Sequence, residues 1–217
     1  MHKVQFGCGL SNPAGWMNYD STPSLFVRKL PFSVKIAKVA SKIIGENSPA
    51  LAKNLNNVIN NNAIYGDIVK GLPCEDDSVN LLYASHVLEH LPLKQFRTAL
   101  AECRRILKDG GVYRLVVPNL KYYIDQYLAS TSSTKSIDFC LATGMGTESF
   151  ANLLNRARGD SHHIMYDLET MMNELQASGF ASVRQAFYGD SAFADFLEVE
   201  DKSRWEFPVN IGFECIN

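Results

Sequence analysis

The sequence predicts an α/β fold, a mostly parallel sheet with an antiparallel pair at one edge. Three observations carry this. Short apolar runs bounded by turn residues recur through the first half, a strand–helix–strand pattern spans residues 79–117, and two extended stretches follow the last helical segment. Buried parallel strands appear as near-continuous apolar runs because other elements cover both faces of their sheet.

The elements follow in order. Residues 4–6 stop at Gly7-Cys8-Gly9, and residues 63–65 stop at Gly66-Asp67. Residues 79–84 follow a polar stretch, and residues 112–117 lie between Gly110-Gly111 and Pro118. Within residues 93–107, Phe96, Leu100, Cys103 and Leu107 recur at helical spacing. Arg97, Glu102, Arg104, Arg105 and Lys108 mark the wet side, and Gly110 is the expected stop. Such a strand–helix–strand unit is almost always right-handed. A second helix is expected over residues 168–177, with Asp167 as N-cap and Gly179 as stop. Residues 182–188 and 207–216 form the antiparallel pair. Without an internal repeat or low-complexity linker, residues 1–217 form one domain.

Composition narrows the function classes. A chain of 217 residues, 46% hydrophobic and 20% charged, can bury a core without disulfides or metals. A formal net charge of −2 gives no electrostatic footprint for nucleic acid, so no such partner is expected. Cys8, Cys74, Cys103, Cys140 and Cys215 are odd in number and contain no CxxC pair. That argues against a disulfide framework or a structural zinc site and for a reducing, cytoplasmic setting. Neither a signal-peptide core nor the ~20 apolar residues of a membrane span is present. The oligomeric state stays open.

Residues 23–62 differ from the rest. Arg28, Lys29, Lys35, Lys38, Lys42 and Lys53 face only Glu46, with apolar residues interleaved. This stretch is expected to be a helical basic insertion, interrupted at Pro31. Its basic face is either simply solvated, or it forms a substrate cap or a peripheral membrane contact through residues 23–45.

Two motifs carry chemistry. In VQFGCG, Gly7 and Gly9 let the backbone approach a ligand closely. In GWMNYD, Asp20 at a strand tip can accept from two ribose hydroxyls. Only a loop fits between Gly9 and Trp16.

The ordered set GCG–GW–NYD, YGDI, LPCEDDSVNLLYASHVLEHL and AECRRILKDGGVYRLVVPN resembles the class I S-adenosylmethionine-dependent methyltransferases. It is most similar to the methyltransferase-like branch with a GCG…GW.N.D opening. The resemblance covers residues 4–119, and HHIMYD…LQASGF extends it more loosely to Phe180. It implies a Rossmann-like sheet of about seven strands, S-adenosylmethionine as cofactor, and methyl transfer as the activity. Gly7, Cys8 and Gly9 would wrap the methionine part and Asp20 would hold the ribose. Asp67 would sit beside the adenine, with Ile68 packed on the ring. Ser85 and His86 would line the methionyl end and face the substrate. The chain departs from the pattern where no third glycine stands near Pro13, where loop replaces the first crossover helix, and where Asn80 stands for a frequent Asp.

Histidines complete the candidate set. His86 and His90 lie four apart and would share a helix face, but the HExxH order is absent and no third ligand is evident, so no metal is expected. His90 is expected to bond the backbone near the turn into Pro92, and His162 to lie at the surface. His86 and His163 are the candidate proton acceptors, with Tyr166 orienting the acceptor. The acceptor is a small molecule or a sugar- or lipid-linked group, methylated on oxygen or nitrogen. Two alternatives stay open: a non-catalytic cofactor-binding module, and an NAD-dependent oxidoreductase or epimerase, which normally has GxGxxG opening a helix.

Overall fold

The structure is a computed structural model that describes residues 1–9, 11–21, 62–144 and 162–217. The insertion expected over residues 23–62, and the membrane contact expected within it, lie outside the described residues except for Asn62.

Seven strands form one sheet: β1 Lys3–Phe6, β2 Met17–Asp20, β3 Ile64–Tyr65, β4 Val79–Ser85, β5 Leu107–Pro118, β6 Ser182–Ala186 and β7 Asn210–Ile216. Their order is β3-β2-β1-β4-β5-β7-β6. The first five run parallel. β7 runs antiparallel between β5 and β6, so β6 is the edge. Among the described residues, four α-helices accompany them: α1 Leu93–Ile106, α2 Leu120–Ala129, α3 Lys135–Ala142 and α4 Leu168–Ala177.

Beyond the register shift between Val79 and Leu81, the apolar runs divide by parity, because successive strand residues face opposite sides. Val4, Phe6, Leu82, Ala84, Tyr113, Leu115 and Val117 join one core with Phe96, Leu100 and Cys103 of α1 and Met171 and Leu175 of α4. Leu81, Tyr83, Val112 and Val116 face a second core. No described helix covers that side. It is filled by Trp16 from the β1–β2 connection and by Phe196, Val199 and Trp205, from and around the 3₁₀ turns Ala194–Glu198 and Lys202–Trp205.

Arg114 stands between Val112 and Val116 on the second face and is fully buried. Its Nε donates to Glu200 at 2.6 Å, its Nη1 to Asp190 and Glu214 at 2.9 Å, and its Nη2 to the Phe187 carbonyl at 2.8 Å. Trp205 lies under the guanidinium at 4.6 Å. Every donor face thus has a partner, which is the condition for a buried cation to persist.

Some expectations need correction at element ends. α1 stops at Ile106, and Gly110 lies inside β5, where the register with β4 shifts. The carbonyls of Arg104 and Leu107 accept from the Asn217 side chain at 3.3 and 2.9 Å, so the helix ends without a glycine. The closing strands end at Ala186 and start at Asn210, both shorter than their apolar runs. Asp167 caps α4 as expected, accepting from Thr170 N–H at 2.8 Å. Asn80 accepts from the His2 N–H at 2.9 Å near the start of β4, at the end of the sheet away from the glycine loop. That departure from the family pattern therefore leaves the ligand end of the sheet untouched.

Candidate active site

β1 delivers the chain into Gly7 and Gly9, both left-handed with φ of +61° and +53°. The two glycines serve different ends. A Cβ on Gly7 would collide with Val87, so this glycine lets the loop after β4 pack on the end of β1. Among the described residues, none places a heavy atom within 4 Å of the Gly9 Cβ position, so this glycine leaves room on their side. Gly9 N–H donates to Asp20 Oδ2 at 2.8 Å, and Cys8 N–H donates to the Tyr19 carbonyl at 3.1 Å. Below the loop, Gln5 Nε2 donates to the Ser11 carbonyl at 2.7 Å and to Asn18 Oδ1 at 2.6 Å. The helix-free connection is thereby held at both strand ends.

A pocket opens here, lined by Gly7, Cys8, Gly9 and Ser85 and walled by Asp201 and Arg204 from the C-terminal segment. Arg204 Nη1 lies 3.4 Å from both the carbonyl and Oγ of Ser85. Burial, aided by the Asp20 charge, pushes the Cys8 thiol up to about 12, so it stays protonated and is no nucleophile. The other expected cofactor residues are not in this lining. Asp20 is buried at the end of β2. Asp67 follows β3, accepting from Val69 N–H at 3.0 Å and pairing with Lys70 at 2.8 Å. Ile68 is part of the first core. Arg204 and Asp201 carry no motif and were beyond sequence reasoning. Gln5 and Asn18, polar residues in otherwise apolar strands, were the visible signal for the pinned loop.

Ser85 leads into His86, itself left-handed at φ +54°. His86 Nδ1 lies 3.4 Å from Glu89 Oε1, and its Nε2 is buried without a hydrogen-bond partner. Glu89 sits in the 3₁₀ turn Leu88–His90 and is 0% exposed. Its carbonyl accepts from the N–H groups of His163 and Ile164 at 2.7 and 3.1 Å. That pairing draws the segment after His162 over the turn.

The downstream histidines consequently exchange places with their expectations. Adjacent residues of an extended segment point to opposite sides. His162, expected at the surface, packs its ring edge-on to His90 with centroids 4.9 Å apart, and burial lowers its pKa. His163 is exposed. His90 Nδ1 is buried with no partner, so its ring does not make the expected backbone bond through that atom. Tyr166 is 1% exposed and stacks on Phe96 at 4.9 Å, which makes it a core residue with its hydroxyl inward.

A mostly parallel seven-stranded sheet with an antiparallel penultimate position, a glycine loop after β1 and a carboxylate at the end of β2 define a class I methyltransferase arrangement. A family model described as "Methyltransferase domain" matches residues 4–115, more than half of the chain. The chain belongs to this methyltransferase domain family, and its cofactor is S-adenosylmethionine. Solved structures are similar at low identity. A SAM-dependent methyltransferase from Archaeoglobus fulgidus is 13% identical, covering 100% of this chain and 86% of its own, with a TM-score of 0.49. One from Mesorhizobium loti is 15% identical, covering 100% and 90%, with a TM-score of 0.48. A putative methyltransferase in complex with the Haloferax volcanii Trm112 activator is 14% identical, covering 99% and 81%, with a TM-score of 0.48. No curated protein matches. Among the described residues, no helix is long and apolar enough to cross a membrane.

Proposed function

We propose that the chain methylates an oxygen or nitrogen of a small-molecule or sugar- or lipid-linked acceptor, with His86 taking the acceptor proton. The observation that carries this is the His86–Glu89 pair beside the pocket. A buried carboxylate lies 3.4 Å from one ring nitrogen, and the other has no protein partner. An imidazole so placed, with one ring nitrogen unclaimed by the protein, is suited to taking a proton from an acceptor.

The residues present fit the cofactor. The open space at Gly9 admits a ligand against the backbone. The Arg204 guanidinium beside Ser85 suits the carboxylate of an amino-acid end. Asp20 would share its carboxylate between Gly9 N–H and the ribose hydroxyls. Asp67 would turn from Lys70 towards the adenine amine. Lys70 is exposed, so that pair costs little to open. Ile68 would offer an apolar edge to the ring. When bound, the cofactor supplies an electrophilic methyl group, leaving the protein to orient, desolvate and deprotonate the acceptor. His163 and Tyr166 have no part in this reading, the first exposed and the second in the core.

A calorimetric screen tests the reading. S-adenosylmethionine and S-adenosylhomocysteine should bind, and NAD and NADP should not. His86→Ala should retain S-adenosylhomocysteine affinity while turnover falls about 10²–10⁴-fold. Turnover equal to the parent's would remove His86 as the base. Cofactor binding with no methylated product from any acceptor would favour the non-catalytic module.

A further inference from the structure

Outside the cofactor pocket, one side-chain cluster lacks partners of its own. Glu89, His90 and His162 each offer a ligand atom, and these atoms all lie within 4.8 Å of one another. Both Glu89 oxygens are fully buried and accept no hydrogen bond. The Nδ1 atoms of His90 and His162 are likewise buried and unpartnered. A carboxylate removed from water without donors is costly, and the cost is met by a cation. His90 Nε2, at 3.9 Å from Glu89 Oε1, is too far to donate. The His86 nitrogen at 3.4 Å faces only one of the two oxygens.

We propose that Glu89, His90 and His162 form a site for a borderline divalent cation of the zinc class. Two imidazoles and one carboxylate are a ligand set this class prefers, and three protein ligands leave a coordination position open. An all-oxygen cation such as magnesium would not choose two imidazoles. The surroundings are built for the rings. Gly144 has no side chain where a Cβ would stand 3.2 Å from His162 Nδ1. The paired backbone at Glu89, His163 and Ile164 sets the distance between the two halves of the site. Glu89 and His90 sit in the turn that follows Val87, whose side chain packs on Gly7, so a bound ion would lie at the same end of the sheet as the glycine loop. It would clamp the segment after His162 to the turn after β4 and present its open position there.

The test uses the whole chain and zinc as probe, read by metal content and by competition with a chromophoric indicator. The parent, stripped with a chelator and reloaded, should retain one equivalent of zinc. His90→Ala and His162→Ala should each weaken binding at least about tenfold, and His163→Ala should not. Zinc should raise the parent's Tm by mass action and leave that of Glu89→Gln/His162→Ala unchanged. Should those variants fold poorly, cobalt(II) in the parent reports the ligand set directly. Bands of a nitrogen and oxygen site without thiolate charge transfer support the assignment. A thiolate band, sub-stoichiometric zinc in the parent, or unaltered affinity in the double variant would overturn it. Because the readout is metal binding, loss of the methyl-transfer reading leaves this result standing, and the reverse holds too.

Discussion

Gly7 and Gly9 share a backbone conformation but should fail differently when given a side chain. Placing alanine at a left-handed position costs roughly 1–2 kcal/mol at either site. At Gly9 no other described residue is disturbed, since none comes within 4 Å of the Cβ position. For a chain of this size, that should lower Tm by about 2–8 °C. The new methyl occupies the space a ligand would approach, a steric intrusion of about 1–3 kcal/mol. S-adenosylhomocysteine affinity should therefore fall roughly 5- to 150-fold in calorimetry. At Gly7 the same strain is joined by the collision with Val87, bringing the stability loss to about 2–5 kcal/mol and the fall in Tm to about 4–20 °C. Adding Val87→Ala should return part of that loss to Gly7→Ala and nothing to Gly9→Ala. Parental affinity in Gly9→Ala would refute the close approach of ligand to this loop. No rescue of Gly7→Ala by Val87→Ala would refute the packing argument.

Three further outcomes follow from other parts of the molecule. Asp20→Ala should weaken S-adenosylhomocysteine binding about tenfold to a hundredfold by calorimetry, with Asp20→Asn intermediate because it still accepts from Gly9 N–H. Arg114→Ala leaves three carboxylates facing a buried gap and should cost about 3–5 kcal/mol, or roughly 6–20 °C in Tm by calorimetric scan. Burial opposes ionisation of Asp190 and Glu214. Hydrogen bonds nonetheless hold both below the usual carboxylate range, from Arg184 and Arg114 to Asp190, and from Ser191, Arg114 and Arg184 to Glu214. Their contribution to stability is present above the unfolded value near 4 and is lost as pH falls through the lower folded values. Urea midpoints should therefore decline on acidification below about pH 4, and Arg184→Gln should flatten that decline.

What was legible in the sequence was what leaves a period or a motif. The runs that became β1, β4 and β5 are buried on both faces, so their composition alone identifies them. β2 is different, because Asn18 and Asp20 break its apolar character, and only the glycine–tryptophan–aspartate motif pointed to it. α2 and α3 bury no residue and so leave little apolar periodicity. The β7 position between β5 and β6 is a matter of long-range pairing, which no local pattern encodes. His162 and His163 show the sharpest limit. A one-residue difference in facing decides which ring meets Glu89, and that facing is set by backbone bonds to a turn more than seventy residues earlier. Arg204 reaches Ser85 across a still longer separation and has no motif around it.

The second face of the sheet has one last consequence. Phe196, Val199 and Trp205 roof the strands there, while Val199, Asp201 and Arg204 from the same stretch wall the pocket. Roof and wall are one continuous piece of chain. A change that reshapes the pocket is therefore also a change to the shelter over Leu81, Tyr83 and Arg114. Substitutions that reshape this wall should be scarce among tolerated variants unless the buried arginine and its carboxylates hold stability in reserve. Diversification of this wall is coupled to the robustness of the fold beneath it, and the glycine loop on the other side is free of that bond.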